Sequence, residues 1–196
     1  MSILKHEISV TIKRLDEIGF NDKRLLNKAI EVREHAQAPY SHYKVGAALY
    51  GLTPQNKSPD AKDWIHVGCN VERGSYTQTT HAEQNALDTM VVTLGSGAKV
   101  TSIAIVAGPH SLMSENLRWC LENPLKEEQL RLDPVTMRDV SVPCGHCLQC
   151  IWENCHDDQS VRLLSITRHG LVAITTIGDA FPMCFGPKDL GVDYAK

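Results

Sequence analysis

Two short segments far apart in the chain carry the side chains that most constrain its fold. His81 lies two residues before Glu83, and Pro143 precedes a spaced pair of cysteines, Cys144 and Cys147. One imidazole and two thiolates are typical zinc ligands, and a site with three protein ligands keeps a fourth position open for water. If these three side chains hold one Zn²⁺ ion per chain, the two segments must meet in the folded protein.

Glu83 is the predicted catalytic residue beside this metal site. Bound zinc lowers the pKa of a water molecule to roughly 7. A carboxylate two residues from a ligand can take a proton from that water and pass it to a substrate, so the motif predicts a hydrolytic reaction. Thr80 and Glu83 also match a helix capping box, which leaves a purely structural role for Glu83 open.

Composition and charge narrow the class of protein. The chain has 196 residues, enough for one α/β domain with its own core. A formal net charge of -3 without a basic block argues against a nucleic-acid partner. The first residues lack the basic-then-apolar order of a signal peptide, and no apolar run is long enough to span a bilayer. These patterns predict a cytoplasmic protein without a membrane partner. Seven cysteines, an odd number, favour free thiols and metal ligands over disulfides.

A closed structural metal site is the main alternative of another class. On a helix, Cys150 would lie one turn beyond Cys147 on the same face. Cys144, Cys147, Cys150 and a histidine would occupy all four positions of a zinc ion and make the chain a non-catalytic zinc protein. The presence of Glu83 argues against this alternative.

Hydrophobic periodicity predicts strands that alternate with helices. Helices are predicted for Ile3 to Ile18, Asp22 to Gln37, His81 to Leu94 and Cys144 to Cys155, and strands for Tyr43 to Tyr50, Trp64 to Cys69, Val100 to Ala107, Val161 to Thr167 and Leu171 to Ile177. Residues 1–21 are predicted to be a helical extension, 53–63 a surface loop, and 109–139 a charged insertion with a short helix around Trp119. The alternation is typical of a single α/β domain over residues 1–196.

Several segments together resemble the cytidine deaminase family. Pro39 to Ala47 resembles its Pro-Tyr-Ser-x-Phe-x-Val-Gly-Ala strand, Asn70 to Glu72 its Asn-x-Glu element, and Phe185 to Leu190 its C-terminal segment. The two zinc-ligand motifs resemble the family's zinc signature. The resemblance implies a three-layer α/β/α fold with a mixed central sheet. It also implies hydrolytic deamination of cytidine and 2′-deoxycytidine to the uridine forms with release of ammonia, a step of pyrimidine salvage.

The resemblance implies that three side chains contact a nucleoside. Asn70 and Glu72 would bind the ribose 3′-hydroxyl region, and Tyr43 would take the place of the aromatic residue that packs on the pyrimidine. An amide and a carboxylate suit a neutral sugar, and an aromatic wall suits a flat base. Each has a structural alternative, which is a turn residue for Asn70, a solvated charge for Glu72 and a core position for Tyr43.

Three further positions complete the implied substrate site. The Ala82 amide and the Val142 carbonyl would read the edge of the base, and Phe185 would reach a substrate pocket across a subunit boundary. For Phe185, plain packing at the C-terminus is the alternative. The implied assembly is a homo-oligomer.

Departures from the family pattern leave the assembly and the substrate open. His81 as a ligand resembles the larger dimeric branch of the family, whereas the chain length resembles the small tetrameric branch, so both a dimer and a tetramer are open. Tyr43 replaces the usual phenylalanine, and the chain carries insertions. A modified cytosine nucleoside, a nucleotide or a cytosine-containing antibiotic is therefore the alternative substrate.

Overall fold

A six-stranded mixed sheet forms the centre of the molecule, in a computed structural model that describes residues 3, 5–53 and 64–190. The strands are β1 (Thr11–Lys13), β2 (Tyr43–Leu52), β3 (Ile65–Cys69), β4 (Lys99–Pro109), β5 (Arg162–Ile166) and β6 (Val172–Thr176). Their order across the sheet is β1-β6-β5-β4-β2-β3. Only β4 and β5 run parallel, and the other neighbouring pairs in the described chain are antiparallel.

Helices cover both faces of this sheet. They are α1 (Phe20–Arg33), α2 (Ala82–Leu94), α3 (Ser114–Glu122), α4 (Glu127–Leu132), α5 (Gly145–Asn154) and α6 (Ile177–Ala180). Helices α1 and α3 contribute to the hydrophobic core on one face, and α2 and α5 to the core on the other. The predicted three-layer α/β/α fold with a mixed sheet is confirmed. None of the helices in the described part of the chain has the length and apolar composition needed to cross a bilayer.

The alternation of side chains along β2 explains the two cores. Ala47 and Leu49 pack in the core that includes α2, whereas Ala48 and Tyr50 pack in the core that includes α1. Successive side chains of a strand point to opposite faces, so a strand covered on both faces is apolar at nearly every position. Strand β4 shows the same division.

Gly68 allows α2 to lie unusually close to the sheet. A Cβ atom at Gly68 would lie 2.4 Å from the Ala86 nitrogen and 2.5 Å from the Ala82 oxygen. Only a residue without a side chain permits this approach of strand and helix backbones. The position of the first turns of α2 therefore depends on this glycine.

The predicted N-terminal helix over Ile3 to Ile18 is wrong. Among the described residues of that segment, the structure has strand β1 and a 3₁₀ turn, Leu15–Glu17. Thr11 pairs with Ile174 at the edge of the sheet. The helical spacing was misleading because Ile8, which it placed on an apolar face, is exposed. A three-residue edge strand depends on a partner far along the chain, and local periodicity does not report that partner.

The other predicted elements are present with shifted ends. Helix α1 begins at Phe20 after Gly19 and ends at Arg33, several residues before Gln37. The short helix around Trp119 is α3, and the insertion also contains α4. Of the predicted surface loop 53–63, residues 54–63 lie outside the described residues.

A buried arginine fixes the start of the insertion. Arg33 is fully buried, and its guanidinium donates hydrogen bonds to the carbonyl oxygens of Gly108, Pro109 and Leu112 at 3.0, 2.8 and 2.7 Å. Burial lowers the pKa of Arg33. The burial of Arg33 has no signal in the sequence, because a polar position on a helix is normally solvated.

Candidate active site

The three predicted zinc ligands come together. His81 Nδ1 lies 3.5 Å from Cys144 Sγ and 3.2 Å from Cys147 Sγ, and one ligand atom from each residue lies within 4.8 Å of the others. Zinc bonds of about 2.3 Å to sulfur and 2.0–2.1 Å to nitrogen, at tetrahedral angles, place such atoms roughly 3.6 Å apart. The donor types and their separations therefore fit a zinc ion.

Two helix starts hold these ligands. His81 is the N-cap of α2, Cys144 is the N-cap of α5, and Cys147 lies in the first turn of α5. The two helices pack against each other on one face of the sheet. Because a helix N-terminus carries a partial positive charge, this arrangement stabilises thiolates between the two helices.

The burial of the ligands is uneven. Cys147 is buried, His81 is partly buried and Cys144 is exposed. Burial raises the pKa of the Cys147 thiol far above its usual range, and the charges of Glu83 and Cys144 add to this effect. Such a thiol becomes a thiolate only against a compensating cation, as metal binding provides.

The closed four-ligand site is not formed in the described part of the chain. The metal-type cluster found there contains His81, Cys144 and Cys147 but not Cys150. The Sγ atom of Cys150 lies 3.8 Å from His146 Nε2 instead. Three protein ligands leave a coordination position free, which is the arrangement of a catalytic zinc site.

A cavity of about 560 Å³ opens beside the ligands. The predicted site residues that line it are Tyr43, Asn70, Glu72, His81, Ala82, Glu83, Val142 and Cys144. A volume of this size falls within the range of small-molecule sites. One cavity thus brings together residues from β2, from the loop after β3, and from the starts of α2 and α5.

Glu83 lies in this cavity wall as a buried carboxylate. It is 5% exposed and occupies the second position of α2. The predicted capping box is wrong, because the N-cap is His81 rather than Thr80 and makes no side-chain capping bond. Thr80 pairs with Val71 in an isolated β-bridge instead. The geometry leaves Glu83 beside the ligands, where it can transfer protons.

Glu72 is held in the cavity wall by the backbone before β2. Its Oε2 atom accepts hydrogen bonds from the amides of Tyr40 and Ser41 at 2.9 and 3.2 Å. A hydrogen bond from the Ser41 side chain and those from the two amides lower the pKa of the Glu72 carboxyl. Although it is only 5% exposed, Glu72 therefore presents an ionised acceptor to the cavity. The alternative of a solvated surface charge is wrong.

Asn70 binds the backbone of β2 with both ends of its amide. Oδ1 accepts from the Val45 amide at 2.8 Å, and Nδ2 donates to the Tyr43 carbonyl at 3.0 Å. An amide group retains a second hydrogen and further lone pairs for a ligand. Asn70 thus positions Tyr43, which is 46% exposed and lines the cavity, so the core alternative for Tyr43 is wrong.

Phe185 does not line this cavity. Its ring is 58% exposed, and its carbonyl accepts a hydrogen bond from Gln149 Nε2 at 2.9 Å. Its role across a subunit boundary stays a prediction.

Four residues that the motifs did not predict also line the cavity. Ser41, Thr79, Val140 and Ser141 contribute to it. Val140 and Ser141 directly precede Val142, a predicted site residue, so their position in the sequence could have identified them as cavity residues. Thr79 has no comparable signal, because it reaches the cavity through the 3₁₀ turn Tyr76–Gln78 that comes before it.

Comparisons with known proteins agree with this site. Residues 20–161 match the family model for the cytidine and deoxycytidylate deaminase zinc-binding region. A cytidine deaminase of Sporosarcina psychrophila is 28% identical over 170 residues, covering 86% of this chain and 93% of that protein. One of Halalkalibacterium halodurans is 30% identical over 168 residues, covering 85% and 95%.

Solved structures share the fold. The cytidine deaminase of Burkholderia pseudomallei is 29% identical, with a TM-score of 0.52 over 83% of this chain and 97% of that one. The Mycobacterium tuberculosis cytidine deaminase is 23% identical, with a TM-score of 0.53 over 86% and 99%, a likeness of fold. With the family model covering most of the chain and the zinc-type ligands gathered in one cavity, the chain belongs to the cytidine and deoxycytidylate deaminase family.

Proposed function

We propose that the chain is a zinc-dependent hydrolase that deaminates cytidine and 2′-deoxycytidine to uridine and 2′-deoxyuridine, in pyrimidine salvage. The observation that carries this proposal is the buried carboxylate of Glu83, which lines the same cavity as His81 and Cys144. Related proteins of two bacteria carry the name cytidine deaminase. The family, the ligand set and the cavity support one activity.

The nucleoside is oriented by opposite walls of the cavity. Its amine end faces His81 and Glu83, where the backbone amide of Ala82 and the carbonyl of Val142 contact the base. Its ribose lies against Glu72, whose carboxylate accepts a hydrogen bond from a sugar hydroxyl. Tyr43 forms the wall between them.

The reaction needs one proton carrier and one activated water. His81, Cys144 and Cys147 would hold the zinc ion, which would supply a bound water that ionises near neutral pH. Glu83 accepts a proton from the water that attacks C4 and delivers it to the ring nitrogen. It then takes the second proton from the oxygen now bonded to C4 and passes it to the amine, as the C4–N bond breaks and the C4–O bond becomes a carbonyl. Cytidine and water become uridine and ammonia, and the carboxylate ends as it began. Because Glu83 is buried, bulk water does not compete for this proton.

The proposal includes a homo-oligomer, a dimer or a tetramer, in the cytoplasm. The exposed side chain of Phe185 supports the homo-oligomer, because this side chain does not line the catalytic cavity of its own chain. Sedimentation of the purified protein, with Phe185→Ala as the variant, measures the assembly and its dependence on this ring.

Ultraviolet absorbance of the purified, zinc-loaded protein tests the activity. Conversion of cytidine and 2′-deoxycytidine to the uridine forms is expected to lower the absorbance on the long-wavelength side of the cytosine band and to release one ammonia per nucleoside. Free cytosine, which lacks the sugar that Glu72 binds, is expected to react far more slowly. Absence of conversion of both nucleosides, with one zinc measured per chain, would contradict the proposal.

A further inference from the structure

A second cavity adjoins the catalytic one. It has a volume of about 370 Å³, and Tyr43, Ala107 and Ser141 line both cavities. These shared residues place the two cavities side by side at Tyr43, the first residue of β2, and the second cavity continues around this end of the sheet to Val106 and Leu117 of the core that includes α1. The volume again falls in the range of small-molecule sites.

The insertion builds most of the remaining wall. Leu112, Leu117 and Cys120 contribute apolar atoms from α3 and the turn before it, and Arg138 contributes from the 3₁₀ turn Met137–Asp139. The walls of this cavity are therefore mainly apolar. Such a space suits an apolar chain several atoms long better than a small, fully hydrated ion.

Hydrogen bonds hold this wall in place. Arg168 donates to both oxygens of Asp133 and to Asp139, each at 2.6 Å. The Thr136 amide also donates to Asp139 at 2.7 Å. The end of the insertion is thereby tied to the turn between β5 and β6. Because two carboxylates already neutralise Arg168, its charge is not free for a ligand.

Arg138 is the free cation of the second cavity. It lines the cavity and is exposed. Over residues 3, 5–53 and 64–190, its guanidinium has neither a hydrogen-bond partner nor an ion-pair partner. The carboxylate of Asp139, also in this wall, is occupied by Arg168 and Thr136. A guanidinium binds a carboxylate or phosphate through two parallel hydrogen bonds.

The sugar is the part of a nucleoside nearest to the second cavity. The Asn70 amide donates to the carbonyl of Tyr43 at 3.0 Å, so the proposed ribose site at Asn70 and Glu72 adjoins the wall that the two cavities share. The base lies at the other end, toward His81. With the 3′-hydroxyl region directed at Glu72, the 5′-hydroxyl is the remaining sugar hydroxyl that cytidine and 2′-deoxycytidine share, so an extension is placed there.

We propose that the second cavity receives a 5′ substituent of a cytosine nucleoside, with an apolar chain along its walls and an anionic end at Arg138. This inference rests on the proposed deaminase function and specifies its substrate class. The reaction at the base is unchanged, with water entering and ammonia leaving.

Four substrates measure this preference with the zinc-loaded protein. They are cytidine, CMP, 5′-O-succinylcytidine and 5′-O-butyrylcytidine, of which the last two share a chain length and differ in the terminal carboxylate. The succinyl ester is expected to exceed the butyryl ester in kcat/KM by about tenfold or more. Arg138→Ala is expected to bring that ratio close to one. Arg131→Ala, an exposed arginine of the same insertion outside the cavity wall, is expected to preserve it.

The outcomes separate this inference from the proposed function. Equal kcat/KM values for the two esters would overturn the inference while cytidine turnover upheld the function. A preference for CMP with rejection of the succinyl ester would also overturn the inference, because the apolar walls of the second cavity would then bind no part of the preferred substrate.

A binding measurement remains decisive if no cytosine nucleoside is converted. In that case the proposed function fails, and calorimetry with uridine and 5′-O-succinyluridine tests the cavity alone. Tighter binding of the succinyl compound, lost in Arg138→Ala, supports the inference, and equal binding overturns it.

Discussion

The side chains of His81 and Glu83 leave the chain where the backbone turns from extended to helical. His81 has φ -77° and ψ 154°, and α2 begins at the next residue. The N-cap and the second helical position thus present an imidazole and a carboxylate to one cavity. Within a helix, side chains two residues apart do not face each other, and the turn of the backbone at His81 brings these two to one cavity.

Replacement of Glu83 by glutamine separates catalysis from metal binding. We expect kcat for cytidine to fall by about 10²–10⁴ in Glu83→Gln, because the amide does not carry a proton between water and the amine. Zinc content, measured by atomic absorption, is expected to stay at one per chain. Asp88→Asn, which removes an exposed carboxylate from the same helix, is the control that should keep kcat. Full activity in Glu83→Gln would refute the assigned role.

The lowered pKa of Glu72 predicts how stability changes in acid. Its folded pKa lies below its ordinary value, so on acidification the unfolded chain takes up the proton first. Its contribution to the free energy of unfolding is therefore complete above about pH 4.3 and is lost as the pH falls through the folded pKa.

Urea unfolding of wild type and Glu72→Gln at pH 7, 5, 4 and 3.5 measures this effect. The stability difference between them is expected to be constant down to about pH 5 and to shrink below it. Titration of the zinc ligands cancels in this difference, because both proteins share them. A difference that already declines between pH 7 and 5 would contradict the assignment.

Short motifs predicted which residues come together in the site, because the geometry of each motif is local. His81 and Glu83 lie on one helix start, and Cys144 and Cys147 lie on another. The spacing within each pair therefore largely determines the relative positions of its two side chains. The hydrogen bonds of Asn70 could not be predicted from a local motif. Its amide bonds to β2, a strand that precedes it by some twenty-five residues, as its contacts with Val45 and Tyr43 show.

At the scale of elements, the site depends on how closely α2 lies against β3. Gly68 of β3 faces the backbone of α2 at Ala82, Asn85 and Ala86. These residues belong to the turns that follow His81 and carry Glu83. The separation of β3 and α2 therefore sets the position of the His81 and Glu83 side chains.

Gly68→Ala is expected to push the two elements apart. The added methyl would meet backbone atoms that cannot rotate away, so we expect the free energy of unfolding to fall by about 2–3 kcal/mol. Zinc affinity is expected to weaken as well, since His81 moves with α2. Chemical denaturation and a competitive chelator titration measure the two effects.

Gly145→Ala is the matched control for this variant. No atom lies within 4 Å of a Cβ placed at Gly145, the first residue of α5. The substitution is expected to change stability by less than about 1 kcal/mol, because alanine favours the helix. Equal losses in both variants would show that close approach is not the cause.

Elements covered on both faces were the most predictable. A nearly unbroken apolar run predicted β4, and alternation with small residues predicted β2. The N-terminal segment misled because β1 is short, partly exposed and stabilised by pairing with β6. Its helical spacing was therefore no guide to its structure.

At the scale of the whole molecule, the zinc ligands join two helices of one layer. His81 belongs to the start of α2 and Cys147 to α5, and both helices pack on the same face of the sheet. An ion bound by both stabilises the folded chain, because the unfolded chain does not hold the ligands together.

Thermal unfolding with and without zinc measures this contribution. We expect zinc at one hundred times its dissociation constant to add about 2.7 kcal/mol to the free energy of unfolding and to raise Tm accordingly. Cys147→Ser is expected to lose most of the rise, whereas Cys120→Ser, which changes a partly buried thiol of α3, should retain it. An equal rise in the Cys147 variant would show that zinc binds elsewhere.

The layered architecture was predictable, whereas the strand order was not. Alternating helices and strands predicted an α/β domain, and the resemblance implied three layers. The order β1-β6-β5-β4-β2-β3 depends on which strands pair over long distances. The insertion likewise lies where Arg33 and Arg168 fix it, through contacts with residues remote in sequence.

The separation of the zinc ligands in the sequence bears on when a newly made chain acquires its metal. His81 and Cys144 are 63 residues apart, and β4 and the insertion lie between them. A refolding chain must close this long loop and dock both helices before the three ligand atoms meet. Metal uptake is consequently a late event, and the time course of zinc incorporation reports completion of folding.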